Sequence, residues 1–438
     1  MEEVIVIGAG LAGSEAAWQL AERGIKVLLY EMRPLKTTLA HSSDKFAELV
    51  CSNSFRAQGL ENAVGLLKEE MRRLDSLIMK AAAKTSVPAG GALAVDRTAF
   101  AQEVTERILA HPKITFINRE ITHIPRDKTV IIASGPLTSD LLAQEIIRLT
   151  GEQTLHFFDA AAPIIEYDSV NMDKAFWASR YNKGQADYLN CPLSKEEYET
   201  FYRALLEAET VEIKGFENKL VFEGCMPIEV MAQRGPMTMA YGPLKPVGLI
   251  DPKTGQTPFA VVQLRKENKQ GTLLNLVGFQ TRLRWGEQKR VFRLIPGLEN
   301  AEFVRYGVMH RNTFLNAPKV LNADFSLRHS RNIFFAGQIT GVEGYLESAA
   351  SGLMAGINVW RQLKGLETIV FPPQTAFGGL ARHLEGSPSQ DFQPMNINFG
   401  LIEPLAQRVR GRRERNLQLS KRALEVLDNF IDEHKLRD

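Results

Sequence analysis

Cysteine is scarce in this chain of 438 residues: Cys51, Cys191 and Cys225 are the only three, widely separated and odd in number. That excludes a disulfide framework, and with no CxxC pair it also excludes a zinc ribbon. A reducing cytoplasm is therefore expected, with each thiol available for chemistry. No stretch approaches the roughly eighteen consecutive apolar residues that a membrane helix needs. The start, Met1-Glu2-Glu3, lacks the positive charge of a signal peptide, so export is not expected. Charge of one sign is also lacking: the formal net charge is +2, and composition makes no case for a nucleic-acid partner. Any basic surface must come from local clustering. Internal repeats and low-complexity tracts are absent. What remains, 44% hydrophobic and 24% charged residues, is the make-up of a soluble globular protein. The length implies two or three domains.

The first feature present is a complete βαβ signature. Val4 to Ile7 is a short apolar strand, followed by Gly8-Ala9-Gly10-Leu11-Ala12-Gly13. Helical apolar spacing runs from Ser14 to Arg23, Gly24 stops it, and Val27 to Tyr30 forms a second strand ending on Glu31. Glycines allow a tight turn that brings backbone N–H groups and a helix N-terminus against a pyrophosphate. Glu31 stands where a ribose would be hydrogen-bonded. A SAM-binding loop is the competing reading, but strand, helix, strand and acidic terminus in this order fit a dinucleotide better.

The far end of the chain points to FAD rather than NAD. Asn332 to Gln338 (NIFFAGQ) reads as a strand entering a glycine turn, with Gly337, Gln338 and Gly341 at the turn, and a helix of small residues follows to about Leu363. This resembles the second FAD-contacting motif of two-dinucleotide-type flavoproteins, and Thr129 to Gly135 resembles their intermediate strand-and-glycine motif. There is no second GxGxxG, so a separate NAD(P)H domain is not expected. The fold class is then α/β: a discontinuous Rossmann-like FAD-binding domain, at 1–163 and 297–438, with a mixed α+β insertion at 164–296. Within the insertion, Phe259 to Leu264 and Leu273 to Phe279 read as strands and Lys195 to Ala208 as a helix. Gly235-Pro236 and Tyr241 to Pro246 read as loop, and a basic helix ends the chain.

Two thiols sit in distinctive segments, His41 to Ser54 (HSSDKFAELVCSNS) and Phe222 to Glu229 (FEGCMPIE). On the residues alone each reads as a buried structural cysteine, since free Cys is commonly buried. The chain resembles, over nearly its whole length, the folate- and FAD-dependent tRNA (uracil-5-)-methyltransferases of bacteria. The stretches that carry the resemblance are GAGLAGSEAAWQLAERG, ELVCSNS, VPAGGALAVDR, ADYLNCP, FEGCMPIE, KPVGLIDPKTG, FAVVQLR, RYGVMHRNT and GVEGYLESAASG. The glucose-inhibited division protein A proteins are the next relatives, longer by a C-terminal helical domain.

The resemblance implies methylation of a T-loop uridine at C5, with 5,10-methylenetetrahydrofolate as carbon donor and reduced FAD as hydride donor. NADH or NADPH would restore the flavin. C5 of uracil becomes nucleophilic only when a thiolate adds at C6, and a base must later remove the C5 proton. By the family's pattern Cys225 matches the nucleophile and Cys51 the thiol near the flavin that acts as base. Cys191 is expected to be structural. His310, in RYGVMHRN, matches a histidine that stacks on the folate pterin. Each thiolate would want a neighbouring Lys or Arg.

Candidates for RNA contact are Arg282, Arg284, Lys289, Arg290 and Arg293, and a tail cluster of Arg408, Arg410, Arg412, Arg413 and Arg415, with Arg282, Arg284, Arg412 and Arg413 foremost. Such charge runs are also what solvated helix faces look like. Three alternatives stay open on sequence: the same chemistry on ribosomal RNA, a small-molecule flavin oxidoreductase, and a non-catalytic RNA-binding flavoprotein.

Overall fold

The computed structural model describes the chain except positions 1–2, 39, 153–154, 161, 183–184, 212–225, 308, 387–391, 408 and 438, and gives backbone alone for 155–160, 182 and 309–311. Its first sheet contains β1 (Glu3–Ile7), β2 (Lys26–Glu31), β6 (Ile114–Asn118), β7 (Val130–Ile132), β16 (Ser326–Leu327) and β17 (Ser330–Phe335). The order is β16-β17-β7-β1-β2-β6. All neighbours are parallel except β16 and β17. Val4 to Ile7 and Val130 to Ile132 are buried throughout, the continuous apolar run of a sheet covered on both faces. Late in the chain β17 returns beside β7, pairing Ile333 with Val130 and Phe335 with Ile132. The FAD-type domain is therefore discontinuous, as the motifs imply.

Two helices lock that return. Leu11–Glu22 follows β1, and Tyr345–Leu363 packs against it. A Cβ at Gly352 would lie 2.1 Å from the Ala12 carbonyl oxygen, so only glycine lets the backbones approach this closely. The small residues of the late helix serve the same contact.

The second sheet is antiparallel: β9 (Ile164–Glu166), β10 (Phe176–Ala178), β11 (Tyr188–Leu193), β12 (Ala260–Lys266), β13 (Leu273–Leu276) and β14 (Phe303–Arg305). Its order is β10-β11-β12-β13-β9-β14. The helix Lys195–Glu207, opened by a Ser194/Glu197 capping box, lies over it. Strand β14 falls beyond residue 296, so the second sheet carries the insertion past that expected boundary. Beside it, β8 (Leu155–Ala160) and β15 (Met309–Phe314) form an antiparallel ribbon where the chain leaves the first unit and re-enters it. A small sheet of β3 (Ser54–Ala57), β4 (Ser86–Val87) and β5 (Ala92–Val95) completes the strands.

The final helix, Arg412–His434, buries Asn416, Leu419, Ser420, Ala423, Leu424, Leu427 and Ile431, a stripe at three- and four-residue spacing. Asn416 and Ser420 donate to the Glu61 and Leu60 carbonyls, anchoring the helix on the segment before Ala63–Arg73. No helix among the described residues is long and apolar enough to cross a membrane.

Buried carboxylates join elements by capping one another's helices. Glu15 accepts from the Ile78 and Leu77 amides and the Ser76 hydroxyl at the start of Leu77–Lys84. Glu70 accepts from the Ala376 and Phe377 amides at the start of Ala376–Gly386. Burial pushes the Glu70 carboxyl from 4.5 up to about 8, against the pull of those two donors and of Arg73. Between these values the folded state keeps a proton that the unfolded chain has lost, so stability falls as pH rises through the window. Glu70→Gln removes that titration. Urea unfolding at about pH 5 and about pH 8 should find the variant gaining on the native protein at the higher pH. An equal difference at both pH values would contradict it.

Candidate active site

Beyond the C-terminal ends of β1 and β7 the glycine turn opens a cleft of about 770 Å³. Gly8, at φ +100°, holds a backbone conformation that other residues rarely adopt, and a Cβ there would sit 2.5 Å from the Ala133 carbonyl oxygen. Gly13 lies behind the turn, where a Cβ would come within 1.8 Å of the Gly8 oxygen. Gly10, Leu11 and Ala12 line the cleft, as do Gly337 and Gln338. A Cβ at Gly10 meets no protein atom within 4 Å, so the room that glycine leaves belongs to the cleft. Gly10 is also the N-cap of Leu11–Glu22, with no side-chain cap and no acidic residue in the first turn. That helix N-terminus is left to an anion. Gly341 instead turns the chain beneath Phe392 and does not line the cleft.

Glu31 lines the cleft at the end of β2, but its carboxylate is already engaged. It accepts from the Ala9 amide at 3.0 Å, from the Arg33 amide at 3.0 Å, and from Arg33 Nε and Nη2 at 3.2 and 3.3 Å. Those four bonds fill its usual lone-pair positions. Burial opposes its charge, yet the Arg33 guanidinium and these donors hold its pKa below the ordinary carboxylate value. Spacing alone led to a ribose acceptor; the buried Arg33 beside it was not foreseen.

The HSSDKFAELVCSNS segment folds over the cleft. Glu48 accepts from the amides and hydroxyls of Ser42 and Ser43, closing the loop before the thiol. Val50 lines the cleft, and Cys51 beside it is half-buried. Three arginines hold this stretch: Arg97 donates to the Leu49 carbonyl at 2.7 Å and Arg305 to the Val50 carbonyl at 2.7 Å. Arg265 reaches the Ser52 hydroxyl and, at 2.7 and 3.1 Å, the Asn53 side-chain oxygen. The Tyr345 hydroxyl accepts from the Cys51 and Ser52 amides at 2.7 and 3.0 Å. Burial, with the nearby Cys51, pushes the Tyr345 phenol well above its usual range, so it stays a neutral partner. Arg97 in turn pairs with Glu267, just past β12, at 2.5 Å. Burial disfavours the Arg97 charge, and Glu267, Tyr345 and Cys51 together more than restore it. Arg97 is thus a guanidinium whose charge interacts with Cys51.

A second, open cleft of about 1850 Å³ lies between the second sheet and the start of the helix Arg97–Ala110, lined by Arg97, Glu267, Trp285, Arg305 and Tyr306. His41 lines both clefts, so they meet beside the thiol segment. Arg97, Arg265, Arg305 and Tyr345 all stand within the quoted motifs VPAGGALAVDR, FAVVQLR, RYGVMHRNT and GVEGYLESAASG. Their positions were legible in sequence, but their convergence was not.

The remaining expected residues fall as follows. Cys225 lies outside the described residues. His310 occupies β15, opposite Asp159 of β8, and its side chain is outside the description. Cys191, on β11, is wholly buried in the second core, and burial drives its thiol pKa far up, which suits a structural residue. Arg282 is only 21% exposed, with Nε 3.7 Å from the buried Glu229, and Arg293 donates to the Ala301 carbonyl. Arg282 thus turns toward a buried carboxylate, whereas Arg293 also pairs with the exposed Glu302 at 3.1 Å. Arg284 is 60% exposed and pairs with the exposed Glu209. Arg412 and Arg413 are exposed at the start of the final helix, and neither has an ion pair among the described residues.

The discontinuous parallel sheet, glycine turn and inserted antiparallel domain define a Rossmann-like FAD-binding fold of the two-dinucleotide flavoprotein class. Residues 3–367 match the glucose inhibited division protein A family. A methylenetetrahydrofolate--tRNA-(uracil-5-)-methyltransferase TrmFO of Desulfitobacterium hafniense is 64% identical over 430 residues, covering 98% of both chains. One of the same name from Listeria innocua is 61% identical, covering 99% of both. The structure is similar to Aquifex aeolicus GidA, with a TM-score of 0.68 at 16% identity, over 99% of this chain and 75% of that one. The chain belongs to the glucose inhibited division protein A family, in its methylenetetrahydrofolate--tRNA-(uracil-5-)-methyltransferase branch.

Removing the Tyr345 hydroxyl leaves the Cys51 and Ser52 amides without their acceptor. Tyr345→Phe should lower the unfolding free energy by about 1–3 kcal/mol and speed alkylation of Cys51 as the loop loosens. Unchanged stability together with an unchanged alkylation rate would rule the clamp out.

Proposed function

We propose that this protein methylates C5 of a T-loop uridine in tRNA, taking the carbon from 5,10-methylenetetrahydrofolate. The observation that carries the reading is the Cys51 loop, pinned by three arginines and Tyr345 at the meeting of the two clefts. The printed names of relatives above 60% identity over nearly the full chain support the substrate and the carbon donor. In this reading residues 164 to about 305 form the RNA- and folate-facing unit.

The residues present fit FAD. The cradle left by Gly8 and Gly10 and the uncapped start of Leu11–Glu22 would hold the pyrophosphate. Ala9, Leu11, Ala12 and Gly13 shape that turn, Gly337 and Gln338 close the cleft opposite, and Gly341 supports the closing turn from behind. Glu31 would receive a ribose hydroxyl by exchanging one of its bonds with Arg33. When bound and reduced by NADH or NADPH, the flavin supplies the hydride that completes the methyl group.

The chain's own groups then do the rest. Cys225 adds as thiolate to C6 of the uracil, which makes C5 a carbon nucleophile toward the folate methylene. Cys51 removes the C5 proton. As that proton leaves, the bond between the methylene carbon and the folate nitrogen breaks and releases tetrahydrofolate. Once the methylene carbon has taken up hydride, the C6–S bond breaks and returns the Cys225 thiolate. His310 would stack on the pterin ring. Arg284, Arg412 and Arg413 are the surface cations offered to phosphate, and Arg284 can leave Glu209 at little cost because both partners are exposed. Arg282 anchors Glu229 instead.

The deciding experiment supplies labelled methylenetetrahydrofolate, NADH and unmodified tRNA or ribosomal RNA, and maps the label. Label at a T-loop uridine is expected, and label confined to ribosomal RNA would move the substrate. Cys225→Ala should abolish both methylation and the covalent adduct with 5-fluorouridine RNA, whereas an undiminished adduct would transfer the nucleophile's role. Neutralising Arg412 and Arg413 together should weaken tRNA binding and reduce the salt slope by about one to two, with flavin content unchanged. An unchanged slope and affinity would make that cluster a solvated face.

A further inference from the structure

Three aromatic rings form a short ladder beside the second cleft. Phe303 stacks on Tyr306 at 5.3 Å with planes 11° apart, and Tyr306 stacks on Trp285 at 5.5 Å and 12°. One end is rooted in the second core, where Phe303 meets Phe292. The other end is exposed: Trp285 is 62% accessible, and with Tyr306 it lines the cleft. An indole left in water at a helix start is unfavourable for folding, where burying it would be worth more.

The ladder is also held rigid. The buried Gln288 side chain donates to the Leu283 and Gly307 carbonyls at 2.7 and 2.8 Å and accepts from the Gly307 amide at 2.8 Å. Those bonds tie the first turn of Trp285–Phe292 to the chain just past Tyr306. The backbones that carry the two rings are thereby held together, so less freedom remains to be lost when a further ring is added.

Within, the same cleft carries charges of both signs, Asp96 and Glu267 with Arg97 and Arg305. Arg97 and Glu267 line it, and among the described residues Arg97 Nη2 and Glu267 Oε2 are buried without a hydrogen-bond partner. Arg305 lines it as well, and His41 connects it to the dinucleotide cleft. An aromatic platform at the rim with an exposed guanidinium beside it, that of Arg284, is the pairing by which proteins hold unpaired nucleic acid, bases on rings and phosphates on cations.

We propose that Trp285, backed by Tyr306, is the stacking platform for one unpaired base of the RNA substrate at the rim of the second cleft. The inference rests on the RNA-methylation reading and adds how the strand is engaged. Reaching C5 requires drawing the base from its stack, and a fixed ring at the rim offsets part of the lost stacking. A pteridine could also lie on an indole, but the exposed Arg284 next to Trp285 favours a polyanion.

The test measures tRNA affinity at fixed salt for Trp285→Ala, Trp285→Leu and Trp285→Phe, with flavin content and spectrum as folding controls. Trp285→Ala and Trp285→Leu should weaken binding about five- to hundredfold, and Trp285→Phe should stay within about threefold. KM for the folate donor should not change. If the alanine variant loses flavin, the leucine-against-phenylalanine comparison decides alone. Leucine and phenylalanine variants with native affinity would overturn the proposal, as would a raised folate KM with native RNA affinity, which would assign the ring to the pteridine. Failure of the RNA reading itself is distinguishable, because the unsubstituted protein would then neither bind nor methylate tRNA.

Discussion

A guanidinium–carboxylate pair, Arg97 with Glu267, bridges the two units where the thiol segment passes between them. Arg97 opens the helix Arg97–Ala110 on the dinucleotide side, and Glu267 follows β12 of the inserted sheet. Such a pair contributes little net stability, because desolvating both charges consumes most of their attraction. Its consequence is geometric: neither residue can move alone without stranding a buried charge. Arg97 then has its Nη1 fixed on the Leu49 carbonyl, two residues before Cys51. The reactive loop is thereby registered to both sheets at once.

Asn53 repeats the device on the other side of the thiol. Its side-chain amide donates to the Val95 and Lys266 carbonyls, one from each unit, while its oxygen receives Arg265. The loop is thus held at both ends by groups from the two units, though it carries no ladder of its own. Those bonds hold the Cys51 segment beside the dinucleotide cleft. The inserted sheet serves as the second jaw of this clamp as well as a wall of the second cleft.

Basic residues divide by whether an acidic partner is buried. Arg97 and Arg282 face buried carboxylates and belong to the architecture. Arg284 pairs only with an exposed Glu209, and the tail arginines start a helix whose opposite face is anchored by Asn416 and Ser420. Screening by water makes the exposed group exchangeable with phosphate and the buried group not. Count and clustering in the sequence cannot separate the two sets.

Local pattern determined much of this protein. The glycine spacing after β1, the strand ending on Glu31, the late FAGQ return and the helix periods at Lys195–Glu207 and Tyr345–Leu363 are contacts within or next to one element, so their signals are short-range. Tertiary structure alone decided that β14 extends the inserted sheet past residue 296. It also decided that Glu31 is already shared with Arg33, that Arg282 turns inward, and that Tyr345 and three arginines from distant motifs meet around Cys51. Each of those facts depends on side chains brought together by chain return across the sheet order. Periodicity and spacing record which face a residue presents, whereas its partner across the fold is set by packing of elements that the local sequence does not specify.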